Sequence, residues 1–493
     1  MGRLGRRERG LRYDACVIGA GADGLAAAIL LARAGLGVAV VEKSEVPGGR
    51  LAIREFHRGF RVAPFIDTLP PMPAEIFHAL GLARAGIFLA PQPVSFALWP
   101  DSRRHAIYRH RPSPGQRLFA DAAHAVDEMR LRAVRDAAPP AAKPLFGRAP
   151  RSAAWPDSAR FDEALADLVA VAEPDAAAHM LARALEGRPA DPFARGSALQ
   201  LLAPGGESLI VPGLAETLAA TAREAGATIL LGAEAVEIRG AKDRVAGVAL
   251  ADGGEIEARA VLSTLDLKRS FLSLFPWDVL PKPVSHRVGG FRMAGATARL
   301  LLALDRLPSL DAEALRAPLY VSPDARAMAD AAAAWRTGTV PEHPPLALRV
   351  VSAGAPALAP PGHAVMTATL SCIPGRLFDG AWTHEKRDRL RDAALDAIER
   401  VLPGTRDTVL AAELAVPPDI EETLGATGGD LLGGEIASDQ MFGSRPGLET
   451  ASPRTPIGGF YLAGGSAAPG VLGAGVSGTI AARAMIADLG PRK

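Results

Sequence analysis

Three glycines, Gly19, Gly21 and Gly24, stand in the order G-x-G-x-x-G, with Glu42 closing the next apolar run and Gly48-Gly49-Arg50 shortly after it. Residues of these types in this order suit a dinucleotide. The first glycine permits a tight turn, the second lets phosphate oxygens approach the backbone, and the third lets a helix pack closely on a strand. Ala22 and Asp23 fill the two variable positions, where free N–H groups and the helix dipole favour an anion. Glu42 is spaced to accept hydrogen bonds from ribose hydroxyls, and its charge repels a 2′-phosphate, so NADP is disfavoured. Lys43 follows it directly. In a chain with 51 glycines the pattern alone is weak, so its meaning depends on the elements around it.

Those elements are a strand, a helix and a second strand. Tyr13–Ile18 is a short apolar run of the kind a doubly buried strand requires. Ala22 to Ala34 is almost all Ala, Leu and Ile and predicts a helix. Gly37–Val41 is the second strand. A further block, Pro204 to Leu274, predicts a helix over Leu214–Ala225 and short strands at Ala227–Leu231, Ala235–Arg239, Val245–Leu250 and Glu255–Ala260, split by Gly232, Gly240 and Asp252-Gly253. Val261–Thr264 reads as another strand end. Near the C-terminus, Phe460–Ala463 is a strand, Gly464-Gly465-Ser466 a turn and Val476–Leu489 a closing helix. This second strand–turn–helix supplies another wall for the same ligand. With Gly-Gly-Arg it favours FAD over NAD.

Bulk properties narrow the rest. At 493 residues the chain holds two domains or more. A net charge of +1 gives no electrostatic case for nucleic acid. The basic start, MGRLGRRERGLR, reaches the first strand with no apolar targeting core, so neither a signal peptide nor a twin-arginine leader is expected. There is no apolar run of about 20 residues, hence no expected spanning helix. Two distant cysteines, Cys16 and Cys372, and scattered histidines suggest no disulfide framework and no metal site, which suits a reducing cytoplasm.

The expected fold is α/β: a Rossmann-like FAD-binding domain of the glutathione-reductase-like, two-dinucleotide-binding type with an inserted α+β substrate domain. The FAD-binding domain takes residues 11–95, 204–270 and 423–493, and the substrate domain 96–203 and 271–422, with 1–10 as a flexible basic tail. Within the insertions Asp136–Pro156 reads as loop, Arg160–Ala184 as helical, Ala296–Leu304 as a buried strand and His384–Leu402 as an amphipathic helix. Phe271–Pro281, FLSLFPWDVLP, is either a loop with buried aromatics or a segment able to dip into a bilayer.

Taken together, the blocks resemble the flavin-dependent amine oxidase and phytoene desaturase superfamily. The likeness is strongest to its phytoene-dehydrogenase-related branch, that of the pyridine nucleotide-disulphide oxidoreductase domain-containing proteins. It is carried by GAGADGLAAAILLARAG, VVEKSEVPGGR, GFRVAPF at Gly59–Phe65, LAETLAATAREAGATILLGAEAVEI, VAGVALADGGEIEARAVLST, GEIASDQMFGSRP at Gly434–Pro446 and TPIGGFYLAGGSAAPG, in family order. The resemblance implies that Glu42 holds the adenosine ribose and that Gly48, Gly49 and Arg50 follow the pyrophosphate, the guanidinium bridging phosphate oxygens. It implies that Val236 presents its backbone to adenine, that Gly464, Gly465 and Ser466 cover the second phosphate, and that Gly475 and Val476 lie near the isoalloxazine. Ala467-Ala468-Pro469 stands where this branch has Thr-His-Pro, and Gly433 precedes Gly434-Glu435 where a histidine is common, so a histidine-assisted step is not expected. With no Cys or His in the C-terminal turn, the FAD should be noncovalent.

Hydride transfer from a C–H bond to a flavin needs no obligatory acid or base. The catalytic residue is therefore open, with Glu435, Asp439, Gln440 and Arg445 as candidates to assist or merely to brace a lid. The implied activity is an FAD-dependent dehydrogenase or desaturase acting on a hydrophobic molecule such as a polyene or isoprenoid, with oxygen or a quinone as acceptor and peripheral membrane contact allowed. The alternatives are an amine oxidase using oxygen, a non-redox FAD-dependent isomerase, and a lipid-binding chaperone.

Overall fold

The computed structural model describes residues 12–69, 72–87, 89–108, 162–202, 208–241, 244–276, 278–441, 445–446, 448, 452–467 and 474–490. The expected basic tail at 1–10 and the expected loop Asp136–Pro156 lie outside them.

The first strand, Arg12–Ile18, pairs in parallel with Val38–Val41 on one side and Glu255–Ser263 on the other. Thr228–Leu230 extends the sheet beyond Val38–Val41, and Phe460–Leu462 pairs in parallel with Val261–Ser263. Arg244–Leu250 and Ala235–Ala241 complete the seven strands as antiparallel neighbours. Val261–Ser263 is no separate strand end; it continues from Glu255. The first half of that strand alternates exposed and buried beside the hairpin. Its last four residues are buried on both faces, where a parallel neighbour lies on each side.

Three helices cover one face. Ala22–Arg33 packs against Leu214–Glu224 and Val476–Leu489, burying Leu25, Ile29, Leu218 and Ile480 in one apolar cluster. The approach depends on glycine. A Cβ at Gly24 would lie 1.9 Å from the Gly19 carbonyl oxygen, and one at Gly478 would lie 1.9 Å from that of Asp23. On the other face Phe271 and Phe275 pack edge-on to Phe460, with ring centroids 5.3 and 5.1 Å away. These aromatic side chains of Phe271–Pro281 belong to the core, while Leu272 is exposed. No helix among the described residues is long and apolar enough to cross a membrane.

A second seven-stranded sheet runs in the order Val409–Ala415, Thr297–Leu304, Ala364–Ser371, Leu346–Arg349, Leu319–Val321, Val94–Leu98 and Arg104–Tyr108. All its pairings are antiparallel except Leu319–Val321 with Val94–Leu98. His384–Val401 lays Leu390, Ala394 and Ile398 on it, as the amphipathic pattern requires. Thr297–Leu304 and Ala364–Ser371 are buried throughout, yet they carry Arg299, Thr367 and Thr369. Polar side chains enclosed this way need partners, and those partners lie at the cavity between the glycine turns and this sheet.

Candidate active site

A cavity of about 880 Å³ is lined by the glycine turns at one end and by residues of the second sheet at the other. Gly21 caps the helix Ala22–Arg33 with an ordinary extended backbone (φ −75°, ψ −178°), and a Cβ there would meet nothing within 4 Å. The helix N-terminus thus faces open space, with Gly19, Ala22 and Asp23 beside it on the lining. Gly48 comes alongside: it pairs with Gly21 and its N–H donates to the Ala20 carbonyl at 2.8 Å. Glu42 is buried at the end of its strand, its carboxylate accepting from the Ala20 N–H at 2.8 Å and the Ser44 N–H at 3.0 Å. A carboxylate has room for about four hydrogen bonds, so two remain for hydroxyls of a ligand.

Gly49 and Arg50 line the same end, and the Arg50 guanidinium donates to the Leu431 carbonyl at 2.5 Å. Burial raises the Asp23 carboxyl, with the Gly478 N–H opposing it, and pushes the Asp430 carboxyl up to about 6. Both acids act electrostatically on Arg50. Opposite, Gly464, Gly465 and Ser466 form the facing wall. The Ser466 hydroxyl donates to the Gly433 carbonyl at 2.8 Å and accepts from the Leu267 N–H at 3.1 Å.

Three of the expected residues are not on the cavity lining. Gly475 (φ +73°) is spent capping the last helix and Val476 is buried in the core, so Ala474 and Ser477 line the cavity in their place. Val236 is not on the lining, which takes Glu234 and Ala235. It is the extra residue of a bulge: Ala235 faces Leu250 and Glu237 faces Ala249, leaving Val236 unopposed and its side chain exposed. Lys43 reaches the lining at the mouth, where its ammonium donates to the Glu422 carbonyl at 3.3 Å.

Of the candidate catalytic side chains, only Glu435 faces the cavity, and Arg292 holds it at 2.7 Å. Asp439 binds the same guanidinium at 2.7 Å. Gln440 clasps the Arg292 backbone, accepting from its N–H at 2.6 Å and donating to its carbonyl at 3.0 Å. Arg445 is fully buried, and burial pushes it down to about 10. It donates to the carbonyls of Gly433 (2.8 Å), Gly465 (2.9 Å), Gln440 (3.2 Å) and Leu432 (3.3 Å) and lies over Phe291. Asp439, Gln440 and Arg445 thus brace the loop that walls the cavity, their polar atoms being committed away from it. Arg445→Met should destabilise the fold by about 3 kcal/mol, because several buried carbonyls lose a charged donor. Arg445→Lys should recover only part of that, since an ammonium has no fork; urea midpoints would measure both.

The other end of the cavity is built from residues that belong to no sequence motif. Asp67 accepts from Arg299 at 2.5 Å and from the Thr367 hydroxyl at 2.8 Å, with Arg349 at 3.7 Å. Arg349 grips both oxygens of Glu186 at 2.5 and 2.9 Å, and the Tyr320 hydroxyl donates to Glu186 at 3.1 Å. Burial would raise both carboxyls, but the arginines hold them below their usual values. A signal was present. Arg299 interrupts TARLLLAL and Arg349 ends LALR, and a lone charge in a doubly buried strand demands a counter-charge.

The open cradle at Gly21, the facing glycine wall and the shared cavity define a dinucleotide-binding protein with a substrate-sized space beside the ligand. Residues 24–486 match the flavin containing amine oxidoreductase family, and the chain belongs to it. It is an FAD-dependent oxidoreductase that acts on a small molecule and needs an electron acceptor. A Mus musculus protein, pyridine nucleotide-disulfide oxidoreductase domain-containing protein 2, is 28% identical over 97% of this chain and 94% of its own length. A lycopene-forming phytoene desaturase of Paracoccus sp. is 25% identical over 96% of this chain and 97% of its own. Among solved structures, the cyclohexylamine oxidase of Brevibacterium oxydans superposes with a TM-score of 0.57 at 17% identity, covering 97% of this chain and 98% of that one. At that identity the likeness is one of fold.

Proposed function

We propose that the chain is a dehydrogenase or oxidase that holds FAD noncovalently along Gly19–Gly24, Glu42 and Gly48–Arg50 and binds a polar small molecule against the second sheet. The residues present fit the cofactor. Gly21 leaves the space a pyrophosphate needs at a helix N-terminus, Glu42 keeps acceptors for a ribose, and Arg50 brings a guanidinium to the same end. Glu234 and Ala235 line the cavity just after Ala233, whose N–H donates to the Glu42 carbonyl at 2.8 Å, and would border the adenine. When bound, the flavin supplies the hydride acceptor. The chain's own residues bind, orient and exclude water, and Glu435, already held by Arg292, is the one candidate side chain facing the substrate space.

We read the sheet of residues 94–108 and 297–415 as the substrate domain, as the two insertions implied. The observation that carries the proposal is continuity: the phosphate cradle opens into the cavity that Asp67, Glu186, Arg299 and Arg349 line. A hydrocarbon polyene would leave those groups facing apolar surface. The polar wall therefore favours a substrate bearing a polar group over a pure hydrocarbon.

The purified protein should show the paired near-ultraviolet and blue bands of oxidised flavin, and heat or acid should release FAD into the supernatant. A colourless protein that takes up no added FAD would sink the proposal. Reoxidation with oxygen and with a quinone, compared after anaerobic reduction, would assign the acceptor.

A further inference from the structure

The first and last helices meet at one carboxylate. Asp23 lies in the first turn of Ala22–Arg33, and its Oδ1 accepts at 3.1 Å from the Gly478 N–H, in the first turn of Val476–Leu489. Burial raises the Asp23 carboxyl, and hydrogen bonds from the Gly478 N–H, the Ser477 hydroxyl and the Gly475 N–H oppose that rise. Asp23 therefore caps the last helix from outside it, taking up amide donors that have no partner within that helix. The Ser477 oxygen in turn accepts from the Gly464 N–H at 2.7 Å. A path of hydrogen bonds thus runs from the second glycine turn, through Ser477, to the first. The backbones touch at the same place, since a Cβ at Gly478 would lie 1.9 Å from the Asp23 carbonyl oxygen.

A second link joins the turns where their strands end. Thr264 donates its N–H and its hydroxyl to the Ile18 carbonyl at 3.0 and 2.8 Å. On its other side, a Cβ at Gly464 would lie 2.8 Å from the Thr264 carbonyl oxygen. The turns are therefore held together at the strand ends by Thr264 and on the helix side by Asp23 and Ser477. Two such links fix the width of the cleft between the glycine walls. We propose that Asp23 is a positioning residue for FAD: through Ser477 it holds the Gly464–Ser466 wall at the distance from Gly19–Gly24 that the cofactor needs. This role rests on the flavin reading. Charge alone predicts the opposite effect. A carboxylate beside a phosphate site repels the phosphate, so an Asp23 that acted only by its charge would weaken FAD binding, and neutralising it would tighten the complex. An Asp23 that acts as a tie gives the reverse: neutralising it loosens FAD.

The test compares wild type, Asp23→Asn, Ser477→Ala and the double variant, each freed of FAD and titrated with it. Amide hydrogen exchange on the FAD-free proteins reports the tie directly, and circular dichroism reports the fold. Asp23→Asn should bind FAD about tenfold more weakly, the share of one hydrogen bond to a charged group. Ser477→Ala should weaken it in the same direction. The double variant should lose less than the product of the two single losses, because both residues act through one path. In Asp23→Asn the Gly464 and Gly478 amides should exchange faster while the sheet amides of Arg12–Ile18 keep their protection. If Asp23→Asn does not fold, Ser477→Ala decides by the same FAD titration. FAD held as tightly or more tightly by the single variants, losses that multiply in full, or unchanged exchange at Gly464 would each overturn the inference. Wild-type protein that takes up no FAD, yet whose Gly464 amide loses protection in Asp23→Asn, would instead overturn the flavin reading and leave the tie between the turns standing.

Discussion

Gly21→Val is expected to give a folded protein that cannot hold FAD. The local backbone (φ −75°, ψ −178°) is open to any residue, and an added Cβ touches nothing within 4 Å. Folding stability should therefore move by no more than about 0.5 kcal/mol, as for substitutions away from packed features. The new side chain, however, projects where phosphate oxygens must meet the helix N-terminus. FAD affinity should fall at least about 100-fold, equivalent to about 2.8 kcal/mol. Flavin content after dialysis, with circular dichroism on the same sample, checks both halves. Gly24→Ala makes the contrast: its Cβ would lie 1.9 Å from the Gly19 carbonyl oxygen, so that variant should lose fold and cofactor together. A Gly21→Val protein that purifies yellow with ordinary affinity would mean the cradle does not receive the pyrophosphate.

The second large effect concerns stability. Asp67→Asn should cost about 3–5 kcal/mol at neutral pH, because breaking a buried pair leaves charge without compensation. Asp67 faces Arg299 at 2.5 Å and Arg349 at 3.7 Å and is itself buried. The sign of the pH dependence follows from its carboxyl. Burial opposes ionisation, yet the two guanidiniums hold the group below its usual 3.8. The folded state thus releases this proton more readily than the unfolded chain. The stabilisation is fully present above 3.8 and disappears as pH falls through the lower folded-state value. Urea midpoints should separate wild type from Asp67→Asn widely at about pH 7 and bring them together in strong acid. A constant gap across that range would mean the carboxylate's charge is not what matters. Adding Arg299→Gln should cost less than the sum of the two single changes, since the partners share one interaction.

The cofactor end was legible because its demands are local. A tight turn, a close helix and a carboxylate at a strand end each fix residue types a short distance apart, and Gly19, Gly21, Gly24, Glu42, Gly48, Gly49 and Arg50 all reach the cavity or its turn. The closing helix Val476–Leu489 was equally plain, being mostly apolar. Which residues at its start line the cavity was less plain: Ala474 and Ser477 do, on either side of Gly475 and Val476, because the cap at Gly475 and the inward turn of Ser477 depend on packing against the first helix. The substrate end was illegible for a different reason. Asp67, Glu186, Arg299 and Arg349 come from distant parts of the chain with no shared spacing. Glu435–Arg445 carries a denser set of charges, but the structure commits Asp439, Gln440 and Arg445 to bracing. The informative charges were the sparse ones, set singly into apolar strands.

The pairing of the first strand has a consequence for how the protein is made. Arg12–Ile18 leaves a ribosome more than 200 residues before its neighbour Glu255–Ser263, and more than 400 before Phe460–Leu462. The helix Val476–Leu489 then packs onto Ala22–Arg33, with the Gly478 N–H donating to the Asp23 carboxylate at 3.1 Å. Vectorial synthesis therefore produces the nucleotide turn long before the strands and helix that complete it. Until those arrive, the first strand has a partner on one edge only and the helix exposes an apolar face, the condition under which nascent chains engage chaperones.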